Sequence, residues 1–218
     1  MIRIFALFAC LGLLATPQIV ADDNPVVIEL FASQNCPACP KAHRTLRSVV
    51  NDEPDVLVLT WSVDYWDYLG DPDPMAIPEA KARQASYVDR LSLRAPYTPQ
   101  SIYDGAKQCP ATRRKQVDEN IEFRRTERTT GAPTISQSDC SITISGPVQP
   151  ATAQDIVMVE YLPADAHQTG MVNPVISTRT IGLWTGDDIT LNVSCERSCA
   201  ILVQGPDHGE IIAARALD

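Results

Sequence analysis

The feature that most constrains this 218-residue chain is a pair of cysteines, Cys36 and Cys39, set where a buried strand turns into a helix. Val26-Val27-Ile28-Glu29-Leu30-Phe31 is rich in β-branched and aromatic residues, the pattern of a mostly buried strand. Ser33-Gln34-Asn35 supplies turn chemistry, and Cys36-Pro37-Ala38-Cys39-Pro40 opens a helix that runs to about Val50. Both prolines suit a first helical turn, whose backbone N–H groups have no intrahelical partner. Asn51-Asp52-Glu53-Pro54 stops the helix. The apolar run from Val56 to Val63 then predicts a second strand, covered on both faces as in a parallel sheet. Strand, helix, strand is a βαβ unit.

A long loop follows, Asp64 to Pro78, carrying Tyr65, Trp66 and Tyr68. Glu79 to Leu93 is helical in composition. Ser101-Ile102-Tyr103 predicts a short strand, Asp104-Gly105 a hairpin turn, Ala106 to Gln108 the returning strand, and Ala111 to Arg128 a last helix. From Cys140 onward the period changes. Ser141 to Ser145, Ile156 to Leu162, Val175 to Leu183, Ile189 to Ser194, Ala200 to Val203 and Glu210 to Ala214 are short strand-like runs between Pro, Gly and Asp clusters. The expected fold class is therefore α/β, a first domain over residues 22–133 followed by an all-β, sandwich-like module over 134–218.

Residues 1–21 read as a leader rather than part of the fold. Arg3 gives a positive start, and the apolar run from Ile4 to Ala15, which includes Cys10, is shorter than the roughly 20 residues that span a bilayer. It suits a secretory signal peptide cleaved after Ala21. The expectation is a periplasmic or secreted protein, without membrane insertion once the leader is removed, in a compartment that allows disulfides. A net charge of −9 argues against a nucleic-acid partner.

The chemistry expected of Cys36 and Cys39 follows from their place. The thiolate is the reactive form of cysteine, and the free N–H groups and positive dipole end of a helix favour that anion. Cys36 at the helix N-cap is the expected attacking thiol. Cys39, deeper in the helix, is the expected resolving thiol, since the spacing closes a small ring. Thr98-Pro99 adds a second signal, because a thioredoxin-type domain continues after its middle helix with a proline, strand, turn, strand and helix. In such a domain a cis proline abuts the cysteine pair, and Pro99 is the candidate.

Beside these readings, Glu29-Leu30-Phe31-Ala32-Ser33-Gln34-Asn35-Cys36-Pro37-Ala38-Cys39-Pro40, Val63-Asp64-Tyr65-Trp66-Asp67-Tyr68-Leu69-Gly70, Ala82-Arg83-Gln84 and Tyr97-Thr98-Pro99-Gln100 resemble the markers of an exported bacterial thioredoxin-like family of unknown function. The resemblance covers about residues 25 to 110. It implies a thioredoxin-like fold with a C-terminal β extension and brings no established reaction. Ser62 stands where that family's pattern leads one to expect a histidine.

Other residues carry competing readings. Glu29 is a candidate proton acceptor for Cys39, although it lies one step off the usual position, and one step along a strand reverses the face. Asp64 and Asp67 follow the second strand and either approach the same end of the sheet or cap the loop. His43, four residues after Cys39, either completes a Cys36, Cys39, His43 set for copper or zinc or is a solvated helix residue, the favoured reading. Tyr65, Trp66 and Tyr68 either line a groove for an extended peptide or plug the loop onto the core. Four further cysteines allow three pairings. Cys195 and Cys199 flank a short hairpin loop, which favours their union and leaves Cys109 to join Cys140, both as structural staples. Arg113, Arg114, Lys115, Arg124, Arg125 and Arg128 read as a solvated face.

Together these residues predict a monomeric thiol–disulfide oxidoreductase acting on cysteine-containing exported proteins or a redox partner. It needs no organic cofactor and no metal. The alternative is a non-catalytic binding module in which Cys36 and Cys39 are metal ligands or an inert disulfide.

Overall fold

The computed structural model describes residues 24–217 apart from 129–130, 148–149 and 164–167; the expected leader, with Cys10, lies outside the described residues. The chain is a mixed α/β structure with several sheets, mostly β. Its first sheet has the order β2-β1-β3-β4, with β1 Val26–Ala32, β2 Val56–Ser62, β3 Gln100–Tyr103 and β4 Lys107–Cys109. β1 pairs parallel with β2 and antiparallel with β3. Every residue of β1 and β2 is buried, as their unbroken apolar runs require.

Alternation along β1 sends the two faces to different cores. Val26, Ile28, Leu30 and Ala32 pack with helices α1, Cys39–Asp52, and α3, Arg114–Glu127. Val27 and Phe31 point the other way, toward Ala80 and Tyr87 of α2, Pro78–Arg90. On that second face lies another sheet, β11-β10-β7-β8, formed by β7 Gln154–Tyr161, β8 Val175–Trp184, β10 Ser198–Gln204 and β11 Ile211–Leu217. Val157, Val159, Ala200 and Leu202 face the first sheet, while Ile156, Met158, Ile201 and Val203 face a third. The third sheet is β5 Thr134–Ser138, β6 Ser141–Ser145 and β9 Ile189–Asn192, in the order β5-β6-β9. The layers thus run α1 with α3, first sheet, second sheet, third sheet. The central position of the second sheet explains why β7 and β10 are apolar on both faces.

Several boundaries differ from expectation. The helix after the cysteine pair starts at Cys39, with Ala38 as its N-cap, rather than at Cys36. The reason is a tight turn, Cys39 N–H to Cys36 O at 3.1 Å, which precedes the helix. β5 was not expected, because Thr134-Ile135-Ser136-Gln137-Ser138 buries a single apolar side chain, Ile135. The loop at 171–174 is also structural. Thr60 N–H donates to Asn173 O at 3.0 Å, Thr60 Oγ1 to Val172 O at 2.5 Å and Asn173 Nδ2 to Val58 O at 2.9 Å, covering the outer edge of β2.

The Asp104-Gly105 turn joins β3 to β4 and also docks the C-terminal strands. Asp104 Oδ1 accepts from Val27 N–H at 2.7 Å, and its carbonyl accepts from Ile211 N–H at 2.9 Å. Gly105 has φ +71°, and a Cβ there would stand 2.5 Å from Gly209 O, so both conformation and space require glycine. Arg124, expected on a solvated face, is instead buried and pairs with Asp104 at 3.2 Å and with Glu210. A guanidinium can enter this depth because both carboxylates meet it.

Candidate functional site at the end of the first strand

The site forms where β1 runs out. Phe31 is the last β1 residue paired with β3, opposite Gln100, so Pro99 lies beside the chain as it leaves the strand for the cysteine turn. Cys36 N–H donates to Ser33 O at 3.2 Å, Cys39 begins α1, and the two sulfurs are disulfide-bonded with Cα atoms 5.4 Å apart. No side chain caps the α1 N-terminus and its first turn holds no acid, so no negative group offsets the positive end of the helix dipole beside the sulfurs. The Thr98–Pro99 peptide bond is cis. Both cysteines are only 1 % exposed, whereas Pro37 and Ala38 between them are exposed.

Segments distant in sequence converge around this turn. Trp66 packs against the core cluster that holds both sulfurs, and its Nε1 donates to Thr98 Oγ1 at 2.6 Å. Gln84 Nε2 donates to Tyr97 O at 2.9 Å and to Gln100 Oε1 at 2.8 Å, while its own Oε1 accepts from Tyr65 OH at 3.3 Å. The aromatic loop is thereby fixed to the segment that carries Thr98 and Pro99 into β3. Trp66 and Tyr65 serve as plugs on the core, but Tyr68, stacked on Trp66, is 77 % exposed.

A carboxylate that the sequence reading missed anchors the turn before Cys36. Asp73 is buried and accepts from Gln34 N–H at 2.8 Å and from Met75 N–H at 2.9 Å. Asn35 donates to Asp71 O at 2.8 Å, and a Cβ at Gly70 would lie 3.0 Å from Asn35 Oδ1. The signal was present as Asp71-Pro72-Asp73-Pro74, since an aspartate that bonds a backbone N–H two residues on makes an Asx turn. Asp64, by contrast, is exposed and pairs with Lys81 at 3.3 Å.

Glu29 does not lie under the cysteine pair. It points to the opposite face of β1, fully buried, where Arg83 Nε donates to it at 2.5 Å and Tyr87 OH also donates to it. Arg83 also donates to Gln204 Oε1 at 2.8 Å, and its guanidinium lies 4.9 Å from the Trp61 ring centroid. The alternation of the strand places Glu29 here, and the Ser33–Asn35 turn does not reverse it. Burial pushes the Tyr87 phenol well above its ordinary range, so it stays a proton donor to Glu29.

His43 is buried on the inner side of α1 rather than solvated. Neither ring nitrogen has a hydrogen-bond partner, and burial, with a smaller contribution from Arg47, lowers its pKa to about 4. Arg47 is drawn over this region by bonds to Gly170 O at 3.0 Å and Met171 O at 3.3 Å. Among the described residues no three His, Cys, Asp or Glu side chains are grouped to hold a metal ion, so His43 does not join Cys36 and Cys39 as a ligand set.

The expected Cys109–Cys140 disulfide is absent. Cys109 is buried at the edge of the first sheet, 3.2 Å from Tyr103 OH, while Cys140 is exposed at the β5–β6 turn of the third sheet. Elimination failed because the second sheet separates the two layers. Cys195 and Cys199 are bonded, with Cα atoms 6.2 Å apart.

The comparisons with known proteins agree with this architecture. The chain is similar to protein AGR_C_4864 from Agrobacterium tumefaciens, whose crystal structure matches with a TM-score of 0.74 and 26 % identity over 88 % of this chain and 93 % of that one. HBP35 of Porphyromonas gingivalis matches with a TM-score of 0.60 and 12 % identity over 89 % of this chain and 75 % of that one, a likeness of fold alone. Among curated proteins, none matches the chain. Residues 27–200 match the model of a family described as a protein of unknown function, DUF1223, and the chain belongs to that family.

Proposed function

We propose that this protein is an exported thiol–disulfide oxidoreductase that exchanges disulfides with other exported proteins through Cys36 and Cys39. The observation that carries the reading is the bonded cysteine pair at the start of α1, at the strand end beside Pro99. In this reading residues 22–133 are a thioredoxin-like domain, supported by the β2-β1-β3-β4 order with α1 and α3 on one face and α2 on the other, and 134–218 are its β extension.

The reaction needs only the dithiol. The Cys36 thiolate attacks one sulfur of a substrate disulfide and the other substrate sulfur leaves as a thiolate. Cys39 then attacks Cys36 Sγ, which frees the second substrate thiol and closes the Cys36–Cys39 bond. Two electrons and two protons pass from the dithiol to the substrate, and the reverse sequence oxidises a substrate dithiol. The positive end of the α1 dipole favours the Cys36 thiolate.

Burial of both sulfurs supports a second reading, an inert staple that holds the turn before α1. Equilibration against glutathione separates the two. A reduction potential of roughly −120 to −270 mV, together with loss of exchange in Cys36→Ser, is the expected outcome for a redox centre. A potential below about −300 mV, or exchange unchanged in Cys36→Ser, assigns the pair to structure.

A further inference from the structure

Away from the first sheet, three of the remaining cysteines meet. Cys140, Cys195 and Cys199 line one cavity of about 350 Å³, with Val193 and Leu217 beside them. The register of the third sheet explains the meeting. Ser141 pairs with Asn192 and Ile142 with Leu191, and the ladder continues one step further through Val193 N–H to Cys140 O at 2.8 Å. Cys140 is therefore opposite Val193, and Cys195 follows two residues on; were the pairing carried that far, Cys195 would be its diagonal neighbour. Diagonal neighbours in an antiparallel pair have Cα atoms about 7–8 Å apart, just beyond the roughly 4.4–6.8 Å of a disulfide. β9 ends at Asn192 and β10 starts at Ser198, so Cys195 lies on the loop between them, outside the strand pairing, and shares one cavity with Cys140.

We propose that these three cysteines form a second thiol–disulfide exchange site, independent of Cys36 and Cys39, in which Cys140 attacks the chain's own Cys195–Cys199 bond. Cys140 is the free, exposed thiol. Cys195 is the accessible end of the disulfide, half-buried, while Cys199 is 1 % exposed. The Cys140 thiolate forms a bond to Cys195 Sγ, the Cys195–Cys199 bond breaks, and Cys199 leaves with the electron pair and takes up the proton that Cys140 gave up. No oxidant or reductant is consumed. The exchange detaches the 195–198 loop from the start of β10 and ties it to the β5–β6 turn, giving the third sheet two covalent forms.

The test uses the oxidised protein with all its cysteines, incubated at pH 8, quenched in acid, unfolded, alkylated and digested for mass spectrometry. The expected result is a Cys140–Cys195 cross-linked peptide beside the Cys195–Cys199 one, with alkylation on Cys199 as well as on Cys140. Cys140→Ser, a change at an exposed turn, abolishes both signals. Alkylation confined to Cys140 and the already free Cys109, with Cys195–Cys199 as the sole bonded peptide involving either residue after overnight incubation, overturns the proposal. Cys36–Cys39 remains oxidised throughout, so the result does not depend on whether that pair is redox-active.

Discussion

The two faces of β1 are built on opposite principles, although the residues alternate along one strand. One face is apolar, with Ile28, Leu30 and Ala32 against α1, α3 and the cysteine pair. On the other, Val27 and Phe31 flank Glu29, whose charge is met by Arg83 and Tyr87 and linked through Arg83 to Gln204 of the second sheet. The first face packs the Cys36–Cys39 disulfide on an apolar background. The second joins two sheets through a polar network that functions only if complete, because a buried charge without its partner is costly.

The sharpest way to break this comparison is Arg83→Met. Arg83 is 3 % exposed and Glu29 fully buried, so the change strands a carboxylate, and a loss of about 3–5 kcal/mol in urea unfolding is expected. Pairing it with Glu29→Leu should restore part of the loss, since no charge is then left alone. A single variant within about 1 kcal/mol of the parent would show that the network is not closed in solution. On the apolar face, Leu30→Ala should cost about 2–5 kcal/mol, and the double variant Leu30→Ala with Glu29→Leu would not recover it.

His43 tests the apolar face through pH. Its pKa is about 4 in the folded chain against 6.5 unfolded, so the unfolded state binds more protons between those values. Stability is fully present above pH 6.5 and falls as pH drops toward about 4, by about 3 kcal/mol from this residue. Unfolding measured across that window should show a flatter pH dependence in His43→Leu; an unchanged slope would place the imidazole in water. The smallest effect is expected at Lys81→Ala. It removes the surface pair with Asp64, whose side chains are 62 % and 52 % exposed, and should change the unfolding midpoint by less than the equivalent of about 1 kcal/mol.

Much of the frame was legible in the sequence because its signals are local. Strand β1, the cysteine turn, β2, the Asp104-Gly105 hairpin and the apolar runs of β7 and β10 each follow from residue type and period. The face of Glu29 was only half legible: the one-residue offset from the usual position is a parity statement, but the turn at 33–35 left open whether the parity held. What could not be read were long-range choices. Nothing local says that the loop at 171–174 covers β2, that Arg124 turns inward to Asp104, or that Asp73 reaches back to Gln34.

The cysteines divide along the same line. Sequence by itself determined that Cys36 and Cys39 sit at a strand-to-helix turn, because spacing and turn chemistry act within a few residues. It could not determine the partners of Cys109 and Cys140, which depend on how the sheets stack. Only the tertiary structure decided that the second sheet lies between those two thiols, and that Cys140 lines one cavity with Cys195. Elimination among cysteines assumes that all distances are open. A layered core closes most of them, since two thiols on opposite sides of a packed sheet cannot approach within a disulfide's reach.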